Sequence, residues 1–304
     1  MKRLLLVTAL SVTAASLTGC RRAATSFVSD AVAHQSGSSY ATDDDPELVR
    51  GAVPFGLKTM EGLLSENPHH EGLLRALAGS FTQYAYAFVQ ADADAADLEG
   101  NLEASRAGRA RARKLFLRAR DYGLRALEER HEGMSKRLQG GRELAKALKP
   151  AEKKDVEALY WTASAWTLAI ANGKGDMGLV AELPIPIAMM ERALALDEKW
   201  GQGALHEYFI SLDAARSEAE GGGPARAKAH LERALELSMN KKLGPRVAYA
   251  EGILVKEQDR AAFERELEEV LRADPDQAPQ HRLANILAQR RARALLDHVD
   301  DLFL

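Results

Sequence analysis

Cys20 is the single cysteine of the 304-residue chain, and its setting points to acylation rather than to redox or metal chemistry. Lys2 and Arg3 make a positive leader start, and residues 4–17 form an apolar run too short to span a bilayer. Leu17-Thr18-Gly19-Cys20 follows. An apolar residue and two small ones ahead of a cysteine read as a lipobox: the small side chains admit a peptidase, and the sulfur takes a diacylglycerol. The expected mature chain begins at Cys20, works outside the cytoplasm and is held to a membrane by its acyl chains. Arg21 is not the aspartate that favours inner-membrane retention in enteric bacteria, which tilts the expected location toward the outer membrane. A lone cysteine also leaves the fold without a disulfide framework, so a hydrophobic core must carry it.

The other chemistry-bearing residues form no catalytic motif. His206-Glu207 sits beside Tyr208 and Phe209, but Ile210 stands where a zinc-protease motif would need its second histidine. His70-Glu71 and His131-Glu132 lack that partner too. No Gly-x-Ser-x-Gly elbow is present, and Gly221-Gly222-Gly223-Pro224 lacks the Lys-Ser/Thr of a phosphate loop. No enzyme activity, cofactor or metal site is expected. The formal charge of −3 gives no support for nucleic-acid binding. Arg106, Arg109, Arg111, Arg113, Arg118 and Arg120 are interspersed with acids and read mostly as a solvated face.

Aromatic residues are the remaining candidates. Phe81, Tyr84 and Phe88 share one face of a helical pattern with Leu74 and Leu77, while Tyr86 and Val89 extend onto another. In a second pattern Tyr160 lies on one face and Trp161 on the other, with Trp166 further along. A helix apolar around most of its circumference is buried on several sides or lines a cavity. The simpler reading is core between helix pairs. The functional one is an aromatic wall for an apolar ligand, with candidate cavity residues Tyr84, Tyr86, Phe88, Trp161, Trp166, His206, Glu207 and Tyr208.

The elements that must position these groups are helices. Ala, Leu, Arg and Glu dominate, and no run of alternating β-branched residues appears. The periodicity predicts helices over 46–66, 69–91, 100–130, 133–148, 153–172, 177–197, 201–215, 224–238, 244–255, 259–273 and 277–302. Pro54, Pro184 and Pro186 fall inside these and are expected to kink or split them. Glu191-Arg192-Ala193-Leu194-Ala195-Leu196-Asp197 recurs as Glu232-Arg233-Ala234-Leu235-Glu236-Leu237-Ser238, with looser copies ending at Pro68 and Pro275. This is similar to the second helix of a tetratricopeptide repeat. The spacings exceed its roughly 34-residue period, so the loops are lengthened. The expected fold is all-α, a solenoid of degenerate tetratricopeptide-like helix pairs over residues 46–304. A leader (1–19) and a lipidated flexible tether (20–45) precede it.

The chain resembles the T component of TRAP transporters, the TatT family. The resemblance rests on Asp44-Asp45-Pro46-Glu47-Leu48-Val49-Arg50, Pro54-Phe55-Gly56-Leu57-Lys58, residues 81–88, Leu159-Tyr160-Trp161 with Trp166, and Ala204-Leu205-His206-Glu207. It continues in Arg282-Leu283-Ala284-Asn285, Ala288-Gln289-Arg290-Arg291-Ala292 and Asp301-Leu302-Phe303. It implies a lipid-anchored helical-repeat protein facing the periplasm, trimeric, that docks a periplasmic solute-binding protein and offers a cavity for an apolar or organic-acid ligand. Contact with the membrane is expected through the lipid anchor only. The alternative is an envelope scaffold lipoprotein whose groove binds other proteins and nothing else.

Overall fold

Asp45 starts the first long helix. Its carboxylate accepts the Glu47 and Leu48 backbone N–H groups, both at 3.0 Å, and Pro46 takes the first helical position. A computed structural model of the chain describes residues 38–304. Cys20, the leader and the first part of the tether lie outside these residues. The last part of the predicted tether forms a helical turn, α1 (Ser38–Ala41), and Tyr40 packs against the core. The helical body therefore begins ahead of Pro46.

The protein is all-α, with no strand among the described residues. The first helices are α2 (Pro46–Glu66), α3 (Glu71–Tyr84), α4 (Ala91–Leu98), which carries the predicted 69–91 stretch on to Leu98, α5 (Leu102–Arg130), α6 (Met134–Gln139) and α7 (Leu144–Leu148), which split the predicted 133–148, and α8 (Val156–Ala171). Then come α9 (Met177–Val180), α10 (Pro184–Leu196), α11 (Ala204–Ala215), α12 (Pro224–Leu237), α13 (Gly244–Tyr249), α14 (Val255–Glu257), α15 (Arg260–Arg272), α16 (Arg282–Asp297) and α17 (Val299–Leu302). Pro184 splits 177–197 as expected, because it sits at the first position of α10. Pro54 does not break α2, which runs through it with Val53 and Leu57 buried on either side. The stretch 277–302 begins its long helix only at Arg282, since Pro275 and Pro279 each open a short 3-10 turn.

Each long helix packs on its neighbours along the chain: α2 on α3, α3 on α5, α5 on α8, α8 on α10, α11 on α12, α15 on α16. Alanines allow the close approaches that the repeat pattern predicts, with Ala227 and Ala234 buried on α12. The row then closes on itself. On α16, Ala288, Ala292 and Leu295 sit in the C-terminal core, while Leu283 and Leu287 pack on the cluster formed by α2 and α3. Arg290 Nη1 donates to Glu47 at 2.8 Å, and Arg282 donates to the Thr42 carbonyl at 3.2 Å. Leu98, at the end of α4, packs on the C-terminal core as well.

The tightest crossing is α5 on α8. A Cβ on Gly123 would overlap the buried Thr162 hydroxyl, and it would lie 3.3 Å from the Thr162 Cα, so relaxation is blocked. Gly62, on the exposed side of α2, has nothing within 4 Å of such an atom. Gly123→Ala should cost about 1–3 kcal/mol through overpacking. Gly62→Ala should add roughly 0.5–1 kcal/mol by restricting the unfolded chain. Denaturant unfolding of the two variants checks both signs; a Gly123→Ala protein as stable as the parent would refute the close crossing.

Candidate functional site

Two π-helical segments bring the inward-facing groups together. The first, Ala85–Gln90, joins α3 to α4 and carries Tyr86. The second, Ala250–Leu254, joins α13 to α14 and carries Glu251. A π turn inserts a residue into the helical period and so re-aims the side chains that follow. Tyr84 and Phe88 pack toward α2, with their rings 5.8 Å apart and Arg50 lying 5.1 Å over Phe88. Tyr86 points elsewhere and is 57 % exposed. Solvent reaches its ring, yet burial pushes the phenol well above its ordinary pKa, with the Glu251, Glu207 and Asp94 carboxylates adding to the shift and Arg291 opposing it. Tyr86 thus stands open to solvent beside charged groups of four other elements.

The wall draws on helices from both ends of the chain. Tyr160 of α8 is likewise raised by burial, and it feels Glu207, Tyr86 and Tyr208. Its ring meets Trp161 edge-on at 4.8 Å and Trp200 at 4.7 Å. Tyr208 of α11 shares a hydrogen bond with Thr167 at 2.7 Å, and burial raises its pKa too. Glu207 faces Lys242 Nζ at 3.4 Å. Glu251 accepts from Arg291 of α16, through Nη2 in a short contact and through Nε at 3.3 Å. On α4, Asp94 pairs with Arg109 at 2.9 Å, yet burial still raises its pKa. The arrangement offers aromatic surface, protonated hydroxyls and fixed charges of both signs.

Of the predicted wall residues, the structure gathers Tyr86, Trp161, Glu207 and Tyr208. Trp166 is fully buried in the core, where its Nε1 donates to Glu182 at 2.7 Å beneath the Arg120 guanidinium. Phe88 is buried, and Tyr84 packs beside it against α2. Trp166, Phe88 and Tyr84 therefore belong to the packing and not to the inner wall. His206 is buried in a pair with His230, Nδ1 to Nδ1 at 2.8 Å, and its Nε2 faces Glu198 at 3.2 Å.

Sequence reasoning missed Asp94, Tyr160, Glu251 and Arg291 as wall residues. Tyr160 was legible only as a core position, and the charged three carry no local signal. Four of the arginines read as a solvated face are tied to other elements: Arg109 to Asp94, Arg113 to Asp176, Arg118 to Glu61 and Arg120 to Glu182. The histidines of the other His-Glu pairs have structural tasks. His70 caps α3 by accepting the Leu73 N–H at 3.2 Å, and His131 pairs with the buried Asp155 at 2.8 Å. A hollow of about 430 Å³ on the outer side of α16, lined by Ile286, Gln289 and Ala294, includes none of the predicted residues.

The histidine pair gives the fold a pH dependence. Two nitrogens 2.8 Å apart need one donor and one acceptor, so at most one ring is charged. Burial is the main cause that holds His230 down at about 4, with His206 adding to it, and burial also lowers His206. Both rings stay neutral in the fold while the unfolded chain, with histidines near 6.5, takes up protons. The stability they protect is present above about pH 6.5 and is lost as pH falls toward 4. For His230 the amount is on the order of 3 kcal/mol. Unfolding free energies measured across that window should decline in the parent and flatten in His230→Gln. An unchanged slope in the variant would assign the acid sensitivity to other groups.

Fold and side-chain geometry define an all-α protein of packed helix pairs in which tyrosines and charged groups from both ends of the chain meet. Comparison with known proteins places it further. Residues 42–303 match the TAtT family, the TRAP transporter T-component. An uncharacterized protein of Treponema pallidum (strain Nichols) is 33% identical over 267 residues, covering 87% of this chain and 82% of that protein. The chain belongs to the TRAP transporter T-component family, and membership implies an accessory component of such a transporter. No helix of the described residues is long and apolar enough to cross a membrane.

Proposed function

We propose that this protein is an envelope lipoprotein, acylated at Cys20 and facing the periplasm, that docks the solute-binding protein of a TRAP system. It offers that partner a concave site for a small organic ligand. The observation that carries the reading is the inner wall itself. Tyr86, Tyr160 and Tyr208 come from three separate elements and converge with Glu207, Glu251 and Arg291, although the core has no packing use for an exposed tyrosine there. A phenol carries its hydrogen at neutral pH and can donate it to a ligand oxygen, which suits the exposed Tyr86, while the Tyr208 hydroxyl is joined to Thr167. Their rings supply apolar contact beside the polar tips. Three copies in the working assembly, and an outer-membrane rather than inner-membrane location, belong to the same proposal.

The wall is tested by pairing stability with ligand retention. Tyr86→Ala removes a mostly exposed ring and should cost under about 1 kcal/mol, whereas Trp166→Ala removes a buried one and should cost roughly 3–5 kcal/mol. Mass spectrometry of small molecules that copurify with the mature protein and its solute-binding partner should show loss of the ligand in Tyr86→Ala. Undiminished ligand in that variant would leave the scaffold reading ahead.

The anchor is tested by fractionation. Cys20→Ala should release the protein from membranes or stall its processing, and the released form should sediment at equilibrium as three copies. Full membrane retention of the variant would refute acylation as the attachment.

A further inference from the structure

The outer face of α2 is apolar and uncovered. Leu48 is 61 % exposed and Phe55 79 %. Gly51, Ala52, Thr59 and Gly62 on the same side are exposed too. Steps of three and four residues align them in one stripe opposite Val49, Val53, Leu57, Met60 and Leu64, which face the core. One flank of the stripe is charged and engaged inward, Arg50 with Asp92 at 2.7 Å and Glu61 with Arg118. The other flank is the root of the N-terminal segment. The Tyr40 hydroxyl lies 3.4 Å from where a Cβ on Gly56 would stand, and Arg282 holds the Thr42 carbonyl. The uncovered stripe therefore borders the place where the chain leads back toward Cys20.

We propose that the Leu48–Ala52–Phe55 face of α2 rests on the membrane surface that holds the acylated Cys20. The proposal depends on the acylation read from the lipobox, and it adds a protein contact to a membrane attachment that the sequence assigned to the anchor alone. Residues 21–37 separate the anchor from α1 and span at most about 60 Å when fully extended. The body is therefore kept within reach of the bilayer, and the uncovered apolar stripe lies beside the root of that tether. A phenylalanine and a leucine two turns apart on one helical face, with small residues between them, insert side-on at the headgroup boundary as interfacial amphipathic helices do. Asp43, Asp44, Asp45 and Glu47 lie at one end of the stripe and Glu66 beyond the other, while Lys58 is paired with Glu61, so the surface that suits it is mostly zwitterionic rather than strongly anionic, of the phosphatidylethanolamine kind.

The test uses the lipidated protein in vesicles of phosphatidylethanolamine with a minor share of phosphatidylglycerol. The Cys20 sulfur is consumed by its acyl group, so Leu48→Cys, Phe55→Cys and, as reference, Met239→Cys each present one thiol for an environment-sensitive fluorophore. Met239 is comparably exposed, at 66 %, and follows α12. Doxyl-labelled lipid should quench the labels at 48 and 55 several-fold more than the label at 239. Equal quenching at all three positions, in protein that floats with the vesicles, overturns the proposal. Labels at 48 and 55 shielded from both doxyl lipid and aqueous iodide assign the face to another protein chain and overturn it too. Protein that does not float at all identifies the acylation reading as the one that failed, and the membrane face falls with it.

Discussion

The structure depends on α16 packing against both ends of the chain. A row of helix pairs has two open ends, and each would expose an apolar face. Here α16 spends one side on the C-terminal core and places Leu283 and Leu287 on the cluster of α2 and α3. The Arg290–Glu47 ion pair also spans the join, but its side chains are 50% and 61% exposed, and such pairs contribute about 0–1 kcal/mol. Fully burying a leucine contributes roughly 1.5–3 kcal/mol, so even partial burial of two outweighs the ion pair. Asn285 fixes α16 against the segment that leads into α13. It is buried, accepts the Leu243 N–H at 3.0 Å and donates to the Lys241 carbonyl at 2.8 Å. A buried amide satisfied on both sides tolerates no sliding, because a shift would strand two backbone groups.

Closure brings together charges that are distant in sequence: Asp94 near the first π segment, Glu251 within the second, Arg291 on the closing helix. Burial disfavours the charged forms of Asp94 and Arg291: Asp94 is raised despite its arginine, whereas for Arg291 the pairing with Glu251 outweighs burial and its pKa is raised too. Arg291 is held by Glu251 at two nitrogens, which orients the guanidinium where a lone side chain would swing.

Much of this was legible in sequence, and the limits have physical causes. Helices, their breaks and the alanine-leucine packing of α12 follow from propensity and a period of 3.6 residues, which are local properties. The Asp45-Pro46 start was readable because a cap involves three neighbouring residues. The π segments were not, since an inserted residue leaves no composition signal; it showed only as aromatic residues on two faces of one pattern. Trp166 and Trp161 looked alike as tryptophans five apart on one helix. What separates them is Glu182 and Arg120, partners on other elements that draw Trp166 into the core. Closure is equally nonlocal, because Leu283 and Leu287 read as the buried stripe of any amphipathic helix whatever they touch.

The inner wall and the histidine pair respond to different protons, and this separates the fold's chemistry from that of the site. All three wall tyrosines are held protonated by burial, so the charge of the wall is set by carboxylates and guanidiniums. Those of Glu251 and Arg291 are ion-paired. His206 and His230 lie between α11 and α12, buried among Phe209, Asp213 and Glu198. Their protonation acts on helix packing. Mild acid therefore loosens the α11–α12 contact and leaves the wall's phenols, already protonated, as they are. Glu207 and Tyr208 share α11 with His206, so the wall would feel that loosening through helix position rather than through charge.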